Sequence, residues 1–394
     1  MSDVHRTESD RRALFGALLF TSAVFALAAA NSSFAQAYYA FWHGTFYLPG
    51  ALPLTAKAVV DQGLMTFFFL NVGLELKREL IQGSLRHPRA MALPFFAALG
   101  GMVVPAVSYA LLNGHGPAAS GWGIPMSTDV AFAAGTLVLL GHRVPRGLLA
   151  FLLALAIVDD VGAILVIAFY YTKHVSVGAL LWAAGIMAAL IVLNRRHGKH
   201  SWPYLVFAIL LWGALSRAGV DAPLAGVLVA AALPLTTPQG SHVSLVSLGH
   251  RTESRLAPYV AFVIMPMFAL ANAGLALNAR DLSLRSPVFL GIFLGLFLGK
   301  FCGVGAASWL VLRLRWARLP NGVGFRHVLG AAWLSGIGFT MALFINTLAF
   351  DAGPYRAEGK AAILFASFFA AVIGMAWLWR ASALTNPGGA RGRA

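Results

Sequence analysis

Long runs of apolar residues, separated by short polar segments, dominate the pattern of this chain. Each run has roughly 17–25 residues, which is enough for a helix to cross a bilayer. About twelve such runs lie near 13–30, 59–80, 90–112, 121–140, 147–171, 176–193, 202–217, 220–235, 258–277, 287–312, 327–350 and 361–380. The pattern therefore predicts an all-α integral membrane protein with about 12 transmembrane helices, which we number as predicted helices 1 to 12.

The polar segments between these runs are too short to hold a soluble domain. The longest have roughly 20–28 residues and lie near 31–58 and 236–257. We therefore expect a single transmembrane domain over 1–394. The tail 1–12 is expected to be cytoplasmic. The Gly- and Arg-rich tail 383–394 is expected to be cytoplasmic and disordered.

Composition and charge support this fold class. Hydrophobic residues make up 59% of the 394 residues and charged residues only 11%, a balance typical of membrane proteins. The net charge of +15 comes from Lys and Arg that concentrate in alternate loops. By the positive-inside rule both termini are cytoplasmic, and the basic excess indicates topology rather than a nucleic-acid partner. The single cysteine, Cys302, excludes an intrachain disulfide, and its apolar surroundings predict an inert, packed thiol.

Two of the apolar runs contain helix-breaking residues at matching positions. Predicted helix 4 holds Pro125 shortly before a Ser-Thr-Asp sequence, and predicted helix 11 holds Gly336 and Gly338 around one isoleucine. Each is the middle helix of a three-helix unit, helices 3–5 and 10–12, and the predicted topology inverts one unit relative to the other. Such an inverted-topology repeat with two discontinuous helices indicates a transporter's binding site. Ordinary membrane-helix kinks are the alternative interpretation.

Predicted helix 10 carries glycines at every fourth position, which leaves one bare helix face for close approach of a neighbouring helix. The glycines are Gly291, Gly295, Gly299 and Gly303.

Four charged residues interrupt runs that are otherwise apolar. They are Asp129, the neighbouring pair Asp159 and Asp160, and Lys300. Charges at bilayer depth are costly and are seldom present without a function. Three carboxylates against one ammonium leave negative charge that protons or small cations would neutralise. Since neighbouring helical side chains diverge by about 100°, we expect one carboxylate of the Asp pair to meet a cation and the other to pair with Lys300.

These residues favour cation/proton exchange by alternating access, with electrogenic turnover. Hard cations prefer oxygen ligands, and the hydroxyl of Thr128 adds one beside Asp129. No His/Cys set with transition-metal spacing is present, so no cofactor is expected. One alternative is an ion-coupled organic-anion symporter, because similar folds carry other substrates. The other is an intramembrane aspartyl protease, in which two buried Asp would activate a water.

A charged segment, GLELKREL, forms the cytoplasmic end of predicted helix 2. It contains Glu75, Lys77, Arg78 and Glu79. These charges form either a solvated network of ion pairs at a helix end or part of a pH sensor, and the segment alone does not decide between them.

Five stretches of the chain resemble the NhaA-type sodium/proton antiporters. They are GLMTFFFLNVGLELKRELIQGSL, PMSTDVAFAAGTLVLLG, FLLALAIVDDVGAILVIAFYYT, MPMFALANAG and WLSGIGFTMALFI, spread over about residues 60–350. The resemblance implies a multi-pass antiporter of the bacterial inner membrane that exports Na⁺ or Li⁺ and admits protons. It also implies pH-dependent activation.

The resemblance further implies roles for individual residues. Asp160 is similar to the family's principal cation ligand, and Asp159 to the partner of Lys300 and a proton carrier. Thr128 and Asp129 match the motif at the crossing of the broken helices. The implied pH-sensing cluster consists of Glu75, Arg78, Glu79 and Glu253.

The chain departs from the family pattern at three places. Asp221 stands where the family often has a histidine, and Asp61-Gln62 where it tends to have Asn-Asp. The segment 43–57 is short and contains Pro49 and Pro53, which suit a β-hairpin poorly. The sequence therefore does not decide whether the protein forms a homodimer. The other expected partners are the lipid bilayer, small cations and protons.

Overall fold

In the computed structural model the chain is described for residues 2–46, 54–83, 88–172, 175–195, 202–235, 247–276 and 283–385. Most of these residues are helical, which confirms the all-α fold class. The helices are α1 (Ser2–Ala30), α2 (Ala35–His43), α3 (Ala56–Ile81), α4 (Pro88–Asn113), α5 (Val130–Val138), α6 (Arg146–Tyr170), α7 (Val177–Arg195), α8 (Trp202–Ala218), α9 (Leu224–Ala232), α10 (Leu248–Asn272), α11 (Pro287–Arg313), α12 (Phe325–Leu334), α13 (Phe339–Ala349) and α14 (Pro354–Thr385).

Eight of the helices within the described ranges are long and apolar enough to cross a membrane, namely α1, α3, α4, α6, α7, α10, α11 and α14. The pair α12 and α13, bent by 45°, makes a ninth span if it crosses as one. In the other three predicted spans no helix reaches 18 residues. The run 121–140 is broken, α8 has 17 residues, and α9 has 9 residues because Pro223 and Pro234 bracket it.

The chain packs as two compact units. Unit 1 consists of residues 1–31, 87–163 and 272–394, and unit 2 of residues 32–86 and 164–271. Both predicted three-helix sets belong to unit 1, apart from the last turns of α6. The prediction of one transmembrane domain over 1–394 concerns the chain as a whole and stays a prediction.

Both ends of the described chain are helical. Helix α1 begins at Ser2, so the residues assigned to the N-terminal tail continue that helix. Helix α14 ends at Thr385, so residues 383–385 of the predicted C-terminal tail are helical. The remainder of that tail, 386–394, lies outside the described residues.

Two expectations about smaller features are wrong. The segment after α2 does form a strand pair, with β1 (Thr45–Phe46) antiparallel to β2 (Leu54–Thr55). The prolines of this segment lie between the two strands in the sequence, within 47–53, which the structure does not describe, so neither of them has to donate to the ladder. Cys302 is exposed on α11 rather than packed. An apolar run in a membrane protein also has an outward face, and Cys302 lies there.

The glycine-lined face of α11 packs closely against α4, as predicted. A Cβ on Gly303 would lie 2.2 Å from the carbonyl oxygen of Gly100, and one on Gly299 would lie 3.1 Å from Cα of Pro105. Only a glycine surface allows backbones to approach this closely. Just before Lys300, α11 also contains a π-helical turn, Gly295–Gly299, a feature frequent at functional sites. Together these features fix the position of Lys300.

Candidate functional site at a helix crossing

Both predicted breaks are present in the structure. A 3₁₀ segment, Pro117–Met126, contains Pro125, and residues 127–129 are extended before α5 begins. Helix α12 ends at Leu334, and residues 335–338, which include Gly336 and Gly338, separate it from α13. Both breaks lie in unit 1.

The two breaks contact each other directly. The backbone N–H of Asp129 donates to the carbonyl oxygen of Ile337 at 2.6 Å. Glycine is needed here for space, because a Cβ on Gly336 would lie 2.5 Å from the carbonyl oxygen of Leu296. A Cβ on Gly338 would lie 3.2 Å from the carbonyl oxygen of Ser127. The chain therefore forms a crossing of two broken helices, which we call the crossing.

Asp129 caps two helices with one carboxylate. Its Oδ1 accepts from the backbone N–H of Phe132 at 3.0 Å, in the first turn of α5. Its Oδ2 accepts from the N–H of Thr340 at 3.1 Å and from the Thr340 hydroxyl at 2.5 Å, in the first turn of α13. Helix N-termini carry partial positive charge, and a buried carboxylate between two of them stabilises both. Asp129 is thus positioned to balance the two positive helix ends at the crossing.

The predicted pair of Asp159 and Lys300 is also present. The Lys300 ammonium donates to Oδ2 of Asp159, and the two side chains are fully buried. The Thr128 hydroxyl lies 2.6 Å from that same Oδ2 and 2.8 Å from the carbonyl oxygen of Ser335. A hydroxyl has one proton, so Thr128 donates to one of these acceptors at a time. This choice links the charge state of Asp159 to the broken end of α12.

Asp160 is buried beside this pair, with 5% of its surface exposed. It follows Asp159 on α6, so its side chain leaves the helix about 100° further round. It acts electrostatically on Lys300 and therefore lies in the same group of charges. Two further side-chain oxygens belong to this region: Oδ1 of the neighbouring Asp159, and Oγ of Ser127 at the crossing. Both are buried and make no hydrogen bond within the described part of the chain. Oxygens of this kind are what a hard cation prefers as ligands.

The residues of the implied pH-sensing cluster lie together at one end of α3 and α10, in unit 2. Arg78 Nε donates to Glu253 Oε1 at 2.8 Å, and Arg78 Nη1 donates to Glu79 Oε1 at 3.0 Å. Glu75 acts electrostatically on Arg78. Sequence reasoning missed His250, whose Nδ1 lies 3.9 Å from Glu253 Oε2. Its spacing of three residues from Glu253 on a helix is the signal that points to it.

Lys77 takes no part in that cluster. Its ammonium donates to the carbonyl oxygens of Ala231 at 2.6 Å and Leu233 at 2.7 Å. These groups lie at the C-terminal end of α9, where unpaired carbonyls and partial negative charge favour a cation. Lys77 therefore anchors α9 to α3.

The residues that depart from the family pattern are also in unit 2. Asp61 pairs with Lys57 at 2.8 Å, one turn earlier on α3. The carbonyl oxygen of Gln62 accepts from the Thr66 hydroxyl at 2.6 Å, an ordinary contact within the helix. Asp221 lies in the turn before α9, and its Oδ2 is buried and has no hydrogen-bond partner in the described ranges.

Sequence reasoning missed several groups at the crossing itself. Thr340 and the carbonyl oxygens of Ser335 and Ile337 all serve as partners of predicted residues. Ser367 of α14 is another, since its hydroxyl accepts from the N–H of Phe339 at 3.2 Å and so caps α13. For Thr340 a signal did exist, because it is the first polar side chain after Gly338.

Comparisons with known proteins agree on one family. The family model described as "Na+/H+ antiporter 1" matches residues 7–378. A Na(+)/H(+) antiporter NhaA of Rhodospirillum rubrum is 47% identical, over 91% of this chain and 92% of the relative. Relatives of the same name in Syntrophobacter fumaroxidans and Acidithiobacillus ferrooxidans are 43% and 42% identical, over 94% of this chain and 89% and 96% of their own lengths.

Proposed function

This chain belongs to the Na+/H+ antiporter 1 family, and on that premise we propose that it exchanges Na⁺, or Li⁺, for protons across a bacterial inner membrane. The observation that carries the proposal is the charge balance at the crossing. Asp129, Asp159 and Asp160 are buried there against one buried ammonium, Lys300. Buried uncompensated charge is costly, so the group of acids has to hold a cation or a proton in each state of the cycle.

In this proposal Asp160 is the principal ligand of the transported cation. Its support is its position, since its carboxylate is buried and acts electrostatically on Lys300, beside the pair of Asp159 and Lys300. Asp159 Oδ1 and Ser127 Oγ are buried oxygens of the same site and could serve as further ligands. The Thr128 hydroxyl and the backbone carbonyls exposed by the breaks would add further oxygens.

Asp159 acts as a second proton carrier. When it takes up a proton, its attraction for Lys300 falls. The Thr128 hydroxyl then donates its hydrogen bond to the carbonyl oxygen of Ser335 instead of to Asp159. Two carboxylates that both take up protons, against one monovalent cation, move net charge in each cycle, so the exchange is electrogenic. Alternating access at one site follows from the competition, since cation and proton occupy the same carboxylates in turn.

The cluster of Arg78, Glu79, Glu253 and Glu75 is the proposed pH-sensing element. Its support is the position of partly exposed ion pairs at a helix end, with His250 beside Glu253. We further propose that both termini are cytoplasmic, as the distribution of Lys and Arg indicates. A homodimer is part of the proposal too, because the pair of β1 and β2 has outer edges that a second copy can extend.

The test is collapse of a pH gradient in everted membrane vesicles on addition of Na⁺ or Li⁺, at pH values from roughly 6.5 to 9, the range in which buried carboxylates titrate. We expect collapse with the wild type and none with Asp160→Asn. The control Asp351→Asn removes an exposed carboxylate outside the crossing and should keep full exchange. Absence of collapse with folded wild-type protein at every pH would overturn the proposal.

Calorimetric titration with Na⁺ or Li⁺ sharpens this test. Competition for the same carboxylates requires that cation binding releases protons and that the apparent affinity falls as the pH is lowered. Cation binding that is independent of pH and of buffer ionisation heat would contradict it. Uptake of an organic acid in these vesicles would instead favour the symporter alternative, whereas the names of the relatives favour a transporter over a protease.

A further inference from the structure

A groove of about 540 Å³ lies between the start of α12 and the last turns of α14, within unit 1. Two arginines, Arg326 and Arg380, contribute to its wall, and Trp377 lies between them in the lining. The rest of the wall is apolar and comes from α14, including Val372, Ile373 and Ala376. No residue of the crossing lines this groove, and the groove has no part in the exchange proposed above.

Within the part of the chain that the structure describes, the two charges of this groove are not balanced by a carboxylate. Arg326 and Arg380 are exposed, and no carboxylate pairs with either of them within the described ranges. The end of a helix adds to this positive charge. Arg326 stands in the first turn of α12, where the helix end is partly positive.

The aromatic wall of the groove is held in place. The indole N–H of Trp377 donates to the carbonyl oxygen of Arg326 at 2.9 Å, which ties α14 to the start of α12. Tryptophan and arginine are enriched together where a helix leaves the hydrocarbon core and meets the lipid headgroups. The groove therefore has the residue types of a membrane interface.

Its depth along α14 agrees with that position. The apolar span Pro354–Ser382 has 29 residues, a length of about 43 Å as a helix. A bilayer with its headgroup regions is roughly 40–45 Å thick, so Arg380 near the end of this span lies at headgroup level. Val372 and Ile373 are about two turns nearer the bilayer centre, at the level where acyl chains begin.

We propose that this groove binds an anionic phospholipid such as phosphatidylglycerol. The guanidinium groups of Arg326 and Arg380 hold the phosphate, since arginine matches the geometry of phosphate oxygens with paired N–H donors. The first part of one acyl chain lies along Val372 and Ile373. A soluble phosphate would satisfy the arginines but leave the apolar wall uncovered, whereas a lipid covers both.

The test is retention of lipid by the purified full-length protein, measured by native mass spectrometry with phosphatidylglycerol or phosphatidylcholine. A basic side chain near an anionic lipid surface strengthens binding roughly fivefold. We therefore expect Arg326→Gln and Arg380→Gln each to weaken phosphatidylglycerol binding about fivefold, and the double variant about thirtyfold. Phosphatidylcholine binding should not change.

Two controls decide the outcome. Arg217→Gln removes an exposed charge at the end of α8, outside the groove, and should leave lipid retention unchanged. Ile373→Ser keeps all charges and should weaken retention of phosphatidylglycerol, because it removes the acyl-chain contact. Wild-type retention in the double variant, or an equal loss in Arg217→Gln, would overturn the proposal. Displacement of the lipid by millimolar inorganic phosphate would overturn it as well, in favour of a soluble anion.

Discussion

Unit 1 and unit 2 both contain ion pairs between helices, but the pairs differ in burial. At the crossing in unit 1, the side chains of Lys300 and Asp159 are 0% exposed. In the cluster of unit 2, the side chains of Arg78 and Glu253 are 33% and 13% exposed. Breaking a buried pair leaves a stranded charge, whereas water takes over the partners of an exposed one. The same chemistry therefore fixes structure in one unit and responds to solution conditions in the other.

The largest loss of stability is expected for Lys300→Ala. It leaves the Asp159 carboxylate buried without its ammonium, which should lower the free energy of unfolding by about 3–5 kcal/mol and lower the melting temperature. The loss should shrink at low pH, where a proton neutralises the carboxylate. The double variant Lys300→Ala/Asp159→Asn removes both charges and should recover much of the stability. Equal melting temperatures for the wild type and Lys300→Ala would contradict the pairing.

Glycine positions give the next comparison. Gly336→Ala places a Cβ 2.5 Å from a backbone oxygen at the crossing, which cannot move aside, so we expect a loss of about 3 kcal/mol. Gly185→Ala in α7 of unit 2 meets nothing within 4 Å and should be neutral or stabilise by up to about 1 kcal/mol. Thermal unfolding measures both. A neutral Gly336→Ala would show that the crossing is less tightly packed than the structure indicates.

Thr340→Val tests the cap that joins the broken helices. It removes one of the two donors on Asp129 Oδ2 and should cost roughly 1–2 kcal/mol, because that oxygen is buried. Thr347→Val is the matched control on the same helix, since its hydroxyl donates only to the helix carbonyl of Phe344 and its loss should cost less. If both variants melt at the same temperature, the Thr340 contact does not stabilise the crossing.

The smallest effect is expected in unit 2. Arg78→Gln should change stability by less than about 1 kcal/mol, and the difference should decrease as salt is added. The pH at which exchange switches on is the property that we expect to shift, measured in the vesicle assay. A stability loss above about 2 kcal/mol with an unaltered pH profile would assign this cluster to structure rather than sensing.

The sequence predicted the features of the crossing that have a local signal. Pro125, Gly336 and Gly338 are residue types that weaken a helix locally, and a charge such as Lys300 stands out in any apolar run. The expectation that Lys300 pairs with one of two neighbouring acids followed from the same reasoning, and the resemblance to the antiporter family identified Asp159 as that acid. These predictions needed composition and position, and no knowledge of which helices pack together.

The contacts that the sequence did not give are long-range. Asp129 and Thr340 are separated by 211 positions, and no local pattern relates them. The length of α9 was missed for another reason. Hydropathy measures composition and extended the run over 220–235, although Pro223 and Pro234 restrict the helix to nine residues. The strand pair of β1 and β2 was missed because proline is unfavourable within a strand, although Pro49 and Pro53 lie between the two strands in the sequence.

The hydrogen bond between Asp129 and Ile337 joins two backbone groups of the chain, so it does not depend on which side chain is present at position 337. A substitution of that side chain leaves the backbone hydrogen bond between the two broken helices intact, so ordinary mutagenesis will not detect this bond. An ester in place of the amide at Asp129 is the change that removes it, because it replaces the N–H with an oxygen. Until such a protein is made, this direct link between the two halves of the repeat stays hidden from any alanine scan.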